Sequence, residues 1–307
     1  MPFRLIDMGM TSPWTMSRLS WRRVALRTWA EADVDNVALI AAGVAFYAFL
    51  ALVPLLGATV LTYGLVADPA TVLHDMQRLT AIMPAEAAKL IGDQLMGVVE
   101  TSAGKKGLGL AVALGIALFG ARNGAGAIVT ALNIAYERKE RRGFVHLTLL
   151  ALAMTAAAVL VAVFAAAAIA ALGHFQHLLP ELPDWIAALG KVASYGMFGC
   201  VAAAGAAALY RFGPAREDHH LEWIWLTPGS VLTALLWLLL TLGFGIYVAN
   251  FGHYDVSYGS LGTVVILLTW LYLSSYILIL GAELNFEFER EAAGRPPIDA
   301  ASRASSD

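Results

Sequence analysis

The sequence predicts an all-α, polytopic membrane bundle of six transmembrane helices, with an external amphipathic helical hairpin and a cytoplasmic N-terminal amphipathic helix. Three observations predict it. Of the 307 residues, 59% are hydrophobic and 14% are charged, against about 25% charged in an ordinary soluble domain. Asp, Glu, Lys and Arg are missing altogether from residues 37–66, 143–180, 223–254 and 256–282, and a bilayer core takes about 20 apolar residues per helix. The basic residues, finally, cluster between the apolar stretches in an alternating pattern. Lipid cannot satisfy free backbone groups, so helices are the default, and the short alternating segments of a membrane barrel are not a feature of this chain.

Residues 1–36 form a cytoplasmic N-terminal region that precedes the first apolar run, and that run is expected to act as the insertion signal. Within 18–35, Trp21, Val24, Ala25, Thr28 and Ala32 share one helical face, while Arg23, Arg27 and Glu31 lie on another. Two readings are open: a helix lying in the membrane interface, or a cytoplasmic helix packed on its own protein. The transmembrane domain covers 37–286, with spans expected at 37–62, 107–134, 145–172, 186–210, 226–250 and 259–282. The long external loop, 67–106, carries Val72, Met76, Leu79 and Met83, then Ala87, Ile91, Leu95 and Val98, at helical spacing around Pro84. It reads as a helical hairpin. The tail 287–307 is expected to be a disordered cytoplasmic segment.

Orientation follows from where Lys and Arg fall. With the N-terminus inside, the cytoplasmic segments hold most of them: five before residue 28, the group Arg138, Lys139, Arg141 and Arg142, then Arg211 and Arg216, then Arg290, Arg295 and Arg303. The external side holds Arg78, Lys89, Lys105 and Lys106. Both termini are therefore expected in the cytoplasm.

Several short motifs then point to a family. Ala41-Ala42-Gly43-Val44-Ala45-Phe46-Tyr47-Ala48-Phe49-Leu50, followed by Pro54-Leu55-Leu56, opens the series. Ala131-Leu132-Asn133-Ile134-Ala135-Tyr136 and Tyr210-Arg211-Phe212-Gly213-Pro214 follow. Pro228-Gly229 with Trp237, Tyr258-Gly259-Ser260-Leu261-Gly262, Trp270-Leu271-Tyr272 and Gly281-Ala282-Glu283-Leu284-Asn285 complete it. In this order, over most of residues 20–290, they resemble the YihY/BrkB family of bacterial inner-membrane proteins. The chain departs from the family pattern at Gly43, Val44 and Ala121–Gly124. The resemblance implies a multi-pass protein of the cell inner membrane and a role as a transporter or lipid-handling protein. Some members of that family carry the legacy name ribonuclease BN; others are associated with serum resistance or with export of lipid A precursors.

Charges inside a span are costly and usually have a reason. Arg122 lies about 22 Å along its helix from Gly107, past the bilayer centre toward the cytoplasm. Asn133 and Tyr136 fall near its face. Together they form a polar stripe suited to an anionic group such as a lipid phosphate; a snorkelling structural arginine is the plainer alternative. The last span presents Tyr272, Tyr276 and Glu283 on one face. Glu283 sits near the cytoplasmic end, where the arginines of the 137–142 loop are its expected partners. In the first span Tyr47 and Pro54 share a face. Pro54 is expected to kink the helix, and Pro228 to act similarly near the start of the fifth span. Gly120 with Gly124, and Ala202 with Ala206, mark close helix packing.

No enzyme signature emerges. His174 and His177 lack the companions of a metal site, and there is no nucleotide-binding glycine loop. The sequence therefore predicts no metal, no cofactor and no nucleic-acid partner. Membrane lipids are the expected partners, with anionic headgroups at the basic cytoplasmic loops, and a homo-oligomer stays open.

Overall fold

A computed structural model describes residues 16–66, 108–178, 184–215, 227–251 and 260–292, and among them every regular element is an α-helix. The helices are α1 (Arg18–Val34), α2 (Val37–Val66), α3 (Leu108–Ala135), α4 (Phe144–Leu178), α5 (Asp184–Phe212), α6 (Pro228–Phe251) and α7 (Ser260–Ala292). Each segment expected to span is one continuous helix. The expected hairpin 67–106 and residues 293–307 of the expected tail lie outside the described residues, while 287–292, expected as the start of that disordered tail, are helical.

Among the described residues, four helical segments are long and apolar enough to cross a membrane: Leu114–Ala135, Phe144–Phe164, Pro228–Tyr247 and Val264–Ala292. The number rises to five if Arg18–Val34 and Val37–Leu52, bent by 66° at the break between them, count as one span, and α5 adds a shorter apolar stretch, Gly196–Phe212. Their surfaces suit lipid. Phe144, Phe164, Leu239 and Ile246 are all largely exposed, an apolar exterior too extensive for contact with water. The chain is thus a multi-pass membrane protein whose regular elements, among the described residues, are all helices.

Local chemistry explains where the helices begin and end. Ser17 caps α1, its side chain accepting from the Ser20 N–H at 3.2 Å. α1 stops at Asp35 and Asn36. Asn36 has φ 53, a left-handed geometry that asparagine tolerates better than most residues. Glu137 has φ 49 and ends α3; the Arg138 N–H reaches Asn133 O at 2.7 Å and the Glu137 N–H reaches Ile134 O at 2.8 Å. These are the two bonds of a Schellman ending. Pro228 is the first residue of α6, where a missing N–H breaks no helical bond. Before it, Thr227 and Ser230 cap each other, each side chain accepting from the other's N–H at 3.2 and 3.1 Å.

The chain forms two compact units, Met1–Ala42, Thr130–Glu140 and Ser194–Asp307 in the first, Gly43–Val129 and Arg141–Ala193 in the second. In the first, α1 packs on the end of α7 through a core of Val24, Leu284 and Phe288, flanked by Met16, Trp21 and Leu232. Trp21 meets Phe288 edge to face at 4.5 Å. The α1 face holding Trp21, Val24, Thr28 and Ala32 is thus turned toward its own protein, while Ala25 is exposed. That packing also explains why α7 runs to Ala292, past the expected end at 282. At 33 residues it is about 50 Å long, more than the bilayer core of about 30 Å requires. In the second unit, α2 and α3 approach closely: a Cβ on Gly124 would stand 3.0 Å from Ala51 Cβ, and one on Gly120 3.2 Å from the Pro54 ring. The small-residue pair expected at 120 and 124 is this contact.

Candidate functional site

The polar groups of the first unit gather where the end of α5 and the start of α6 meet α7. Glycines make this possible. A Cβ on Gly281 would run into Thr233 Oγ1 and Tyr210 Oη, and one on Gly229 would run into the Gly281 carbonyl. With hydrogens there instead, three helices come within hydrogen-bonding reach. The buried Tyr210 hydroxyl lies 2.6 Å from Thr233 Oγ1 and donates to Leu278 O at 2.7 Å. Asn285 accepts from the Gly229 N–H at 2.8 Å and donates to Thr227 Oγ1 at 2.9 Å. Each bond satisfies a group that is expensive to leave unpaired in an apolar interior.

A second knot lies at the end of α3. Asn133 accepts from the Ala215 N–H at 2.7 Å and donates to Glu140 Oε2 at 2.8 Å. Both ends of its amide are used within the protein. Tyr136 is buried one turn on, its ring edge to face with Phe286 at 5.9 Å.

A third group is ionic. On α7, Glu287 is fully buried and accepts from Arg290 at 2.6 Å. Arg290 is itself buried, stands 3.7 Å from Glu31 on α1, and lies over the Phe286 ring at 5.5 Å. Glu291 pairs with Arg23 at 2.9 Å and with Arg27 at 3.0 Å. Arg27 also comes within 4.0 Å of Glu287.

Glu283 breaks the pattern. It is 1% exposed, and its Oε1 has no hydrogen-bond partner among the described residues. The sequence suggests a pairing with the arginines of 137–142. Instead, among the described residues no ion pair joins it to them, and the charged groups that act on it are the carboxylates of Asp35, Glu31, Glu137 and Glu287. α1 and the turn after it contribute Glu31 and Asp35 to its surroundings, and the α3 ending contributes Glu137.

The other expected residues are placed as follows. Tyr272 and Tyr276 are half-buried neighbours on α7, ring centroids 6.4 Å apart. In the second unit, Tyr47 is exposed beside Phe46 at 5.7 Å. Pro54 lies inside the continuous α2. Arg122 is half-buried in α3, its guanidinium 4.6 Å from the centre of the Phe119 ring. Its Nε is buried with no hydrogen-bond partner among the described residues. Sequence reasoning passed over Tyr210, Thr233, Asn285 and the Arg27–Glu287–Arg290 group as site residues. A signal was present for some of them: Tyr210, Gly229, Gly281 and Asn285 all fall within the ordered motifs.

Comparison with known proteins places these motifs in context. The family model described as virulence factor BrkB matches residues 28–305. The chain is 30% identical over 230 residues to the Bacillus subtilis protein named ribonuclease-like protein YfkH, covering 68% of this chain and 81% of that one. It is 43% identical over 58 residues to a UPF0761 membrane protein of Pseudoalteromonas translucida, 19% of each chain. With a UPF0761 membrane protein of Tolumonas auensis it shares 36% over 94 residues, 29% of this chain and 30% of that one. No solved structure matches.

Proposed function

The chain belongs to the virulence factor BrkB family, and on that footing we propose that it is an inner-membrane transporter or flippase for a lipid or another amphipathic, anionic substrate. In this reading α2 to α7 are six spans, both termini are cytoplasmic, α1 lies at the cytoplasmic interface, and the basic group at 138–142 holds anionic headgroups. The observation that carries the reading is Arg122. It is a cation set in an otherwise uncharged helix, resting on an aromatic face, with a buried N–H that has no hydrogen-bond partner among the described residues. An intramembrane charge of this kind suits a passing phosphate or carboxylate.

The test is lipid movement in vesicles reconstituted with the full chain. A fluorescent phospholipid should reach the opposite leaflet faster than in protein-free vesicles. Arg122→Ala should slow that movement by roughly 10- to 100-fold, the loss of a charge-assisted bond worth about 1.5–3 kcal/mol. Arg122→Lys should retain part of it. Rates equal to empty vesicles, or an alanine variant as fast as wild type, would sink the proposal.

A second reading, an envelope-assembly scaffold that moves nothing, draws on the interlock of α5, α6 and α7, whose polar groups are consumed in holding helices together. It predicts a stable partner complex and no lipid movement. A ribonuclease has the least support, because Glu283 and Glu287 are no more than 1% exposed and an RNA strand cannot reach them.

A further inference from the structure

The packing of α1 leaves an unexpected face free. Trp21, Val24, Thr28 and Ala32 are turned toward the protein, pinned by the Val24–Leu284–Phe288 core and by the ion pairs of Arg23 and Arg27 with Glu291. On the opposite side Leu19, Leu26 and Trp29 are 72%, 62% and 68% exposed. With Arg22 they fall within about 80° of arc at 3.6 residues per turn. Arg18 borders the arc on one edge and Arg23 on the other, and all three arginines are exposed. Asp33 lies on the same arc in the last turn, a lone acid among three bases.

We propose that this stripe docks on the anionic phospholipid surface of the leaflet from which α2 starts, Leu19, Leu26 and Trp29 entering the headgroup boundary and Arg18 and Arg22 binding phosphates. The inference rests on the membrane placement above, but not on transport. Four observations carry it. First, two residues separate α1 from α2, whose 30 residues are free of charge, so α1 cannot leave the bilayer surface. Second, the 66° bend between them sets α1 nearer to the membrane plane than to the direction of α2. Third, the residue types match the depth: tryptophan and leucine below, arginines reaching up to headgroups. Fourth, the bonds to α7 prevent α1 from rolling to hide the stripe. Charge complementarity selects anionic lipid over a neutral surface.

The experiment uses the full chain with Cys200→Ala and a nitroxide on Leu26→Cys, reconstituted in vesicles of phosphatidylethanolamine and phosphatidylglycerol. A free water-soluble nitroxide serves as the aqueous reference, and a nitroxide on Trp29→Cys is the second reporter. Docking predicts that oxygen relaxes the Leu26 and Trp29 labels more than an aqueous nickel chelate does. Replacing phosphatidylglycerol with phosphatidylcholine, or Arg18→Gln with Arg22→Gln, should raise nickel accessibility several-fold. Nickel accessibility approaching that of the free nitroxide overturns the proposal. So do labels shielded from both reagents, which would mean that a protein segment or a second copy covers the stripe. Because accessibility is read without lipid movement, a failed transport assay leaves the proposal standing, and failed docking leaves transport standing. A docked label on the leaflet opposite the 138–142 group would refute the proposed topology alone.

Discussion

Replacing Gly281 with alanine probes the interlock at its tightest point. The new Cβ would overlap Thr233 Oγ1 and Tyr210 Oη and would lie 2.9 Å from the Gly229 carbonyl. The two hydroxyls are held by buried hydrogen bonds and the carbonyl is backbone, so α7 must move away from α5 and α6. Overpacking of this kind costs about 1–3 kcal/mol. Separation also strains the hydrogen bonds of Tyr210 and Asn285, and interhelical bonds in membranes average about 0.6 kcal/mol, with the largest near 1.7. Against this, alanine gains about 1 kcal/mol over glycine in helix propensity. The net expectation is a loss of about 2–3 kcal/mol, roughly a 25- to 150-fold shift in the folding equilibrium. Reversible unfolding of the purified protein in mixed micelles, followed by far-UV circular dichroism against rising SDS, measures it. Gly243→Ala on α6, where a Cβ meets nothing within 4 Å, is the control and should be neutral or stabilising. Thr233→Ala in the Gly281→Ala background removes the nearest clash and should recover part of the loss. A Gly281→Ala protein as stable as wild type, or a double variant that recovers nothing, would refute the argument.

Two more outcomes follow from the same packing. Asn285→Ala strands the buried Gly229 N–H and should cost about 1–3 kcal/mol, while Asn285→Asp keeps that acceptor and should cost less; the same SDS titration separates them. Glu287→Ala removes the carboxylate 2.6 Å from the buried Arg290, the contact to Glu31 at 3.7 Å remaining, and should cost about 3 kcal/mol, near the low end for breaking a buried pair. Glu287→Ala with Arg290→Ala should be less damaging than Glu287→Ala alone, a sign reversal that a double-mutant cycle reads directly.

The helices were legible in the sequence because the signal is local. A charge-free run of apolar residues in lipid has one way to satisfy its backbone, and the six expected segments each fold as a single helix. The motif residues were legible as a set, yet their roles were not. Asn133 looks like a lining residue on a polar stripe; in the fold its amide is spent on Ala215 and Glu140. Glu283 looks like a partner for nearby arginines; in the fold it is buried and its Oε1 has no hydrogen-bond partner among the described residues. Periodicity assigns a side chain to a face of its own helix and says nothing about which helix that face meets.

The same distinction separates what belongs to the sequence from what belongs to the fold. Composition and charge placement alone determine an all-helical, multi-pass membrane protein and the order of its elements. Only the tertiary structure decides that Tyr210 bonds Thr233 and Leu278, 23 and 68 residues away, or that α1 turns its Val24 face to α7 and leaves Leu19, Leu26 and Trp29 outside. Those outcomes depend on the azimuth and register of one helix against another. Two hydrogens, at Gly229 and Gly281, set how closely α6 and α7 approach, and that distance determines which polar groups meet.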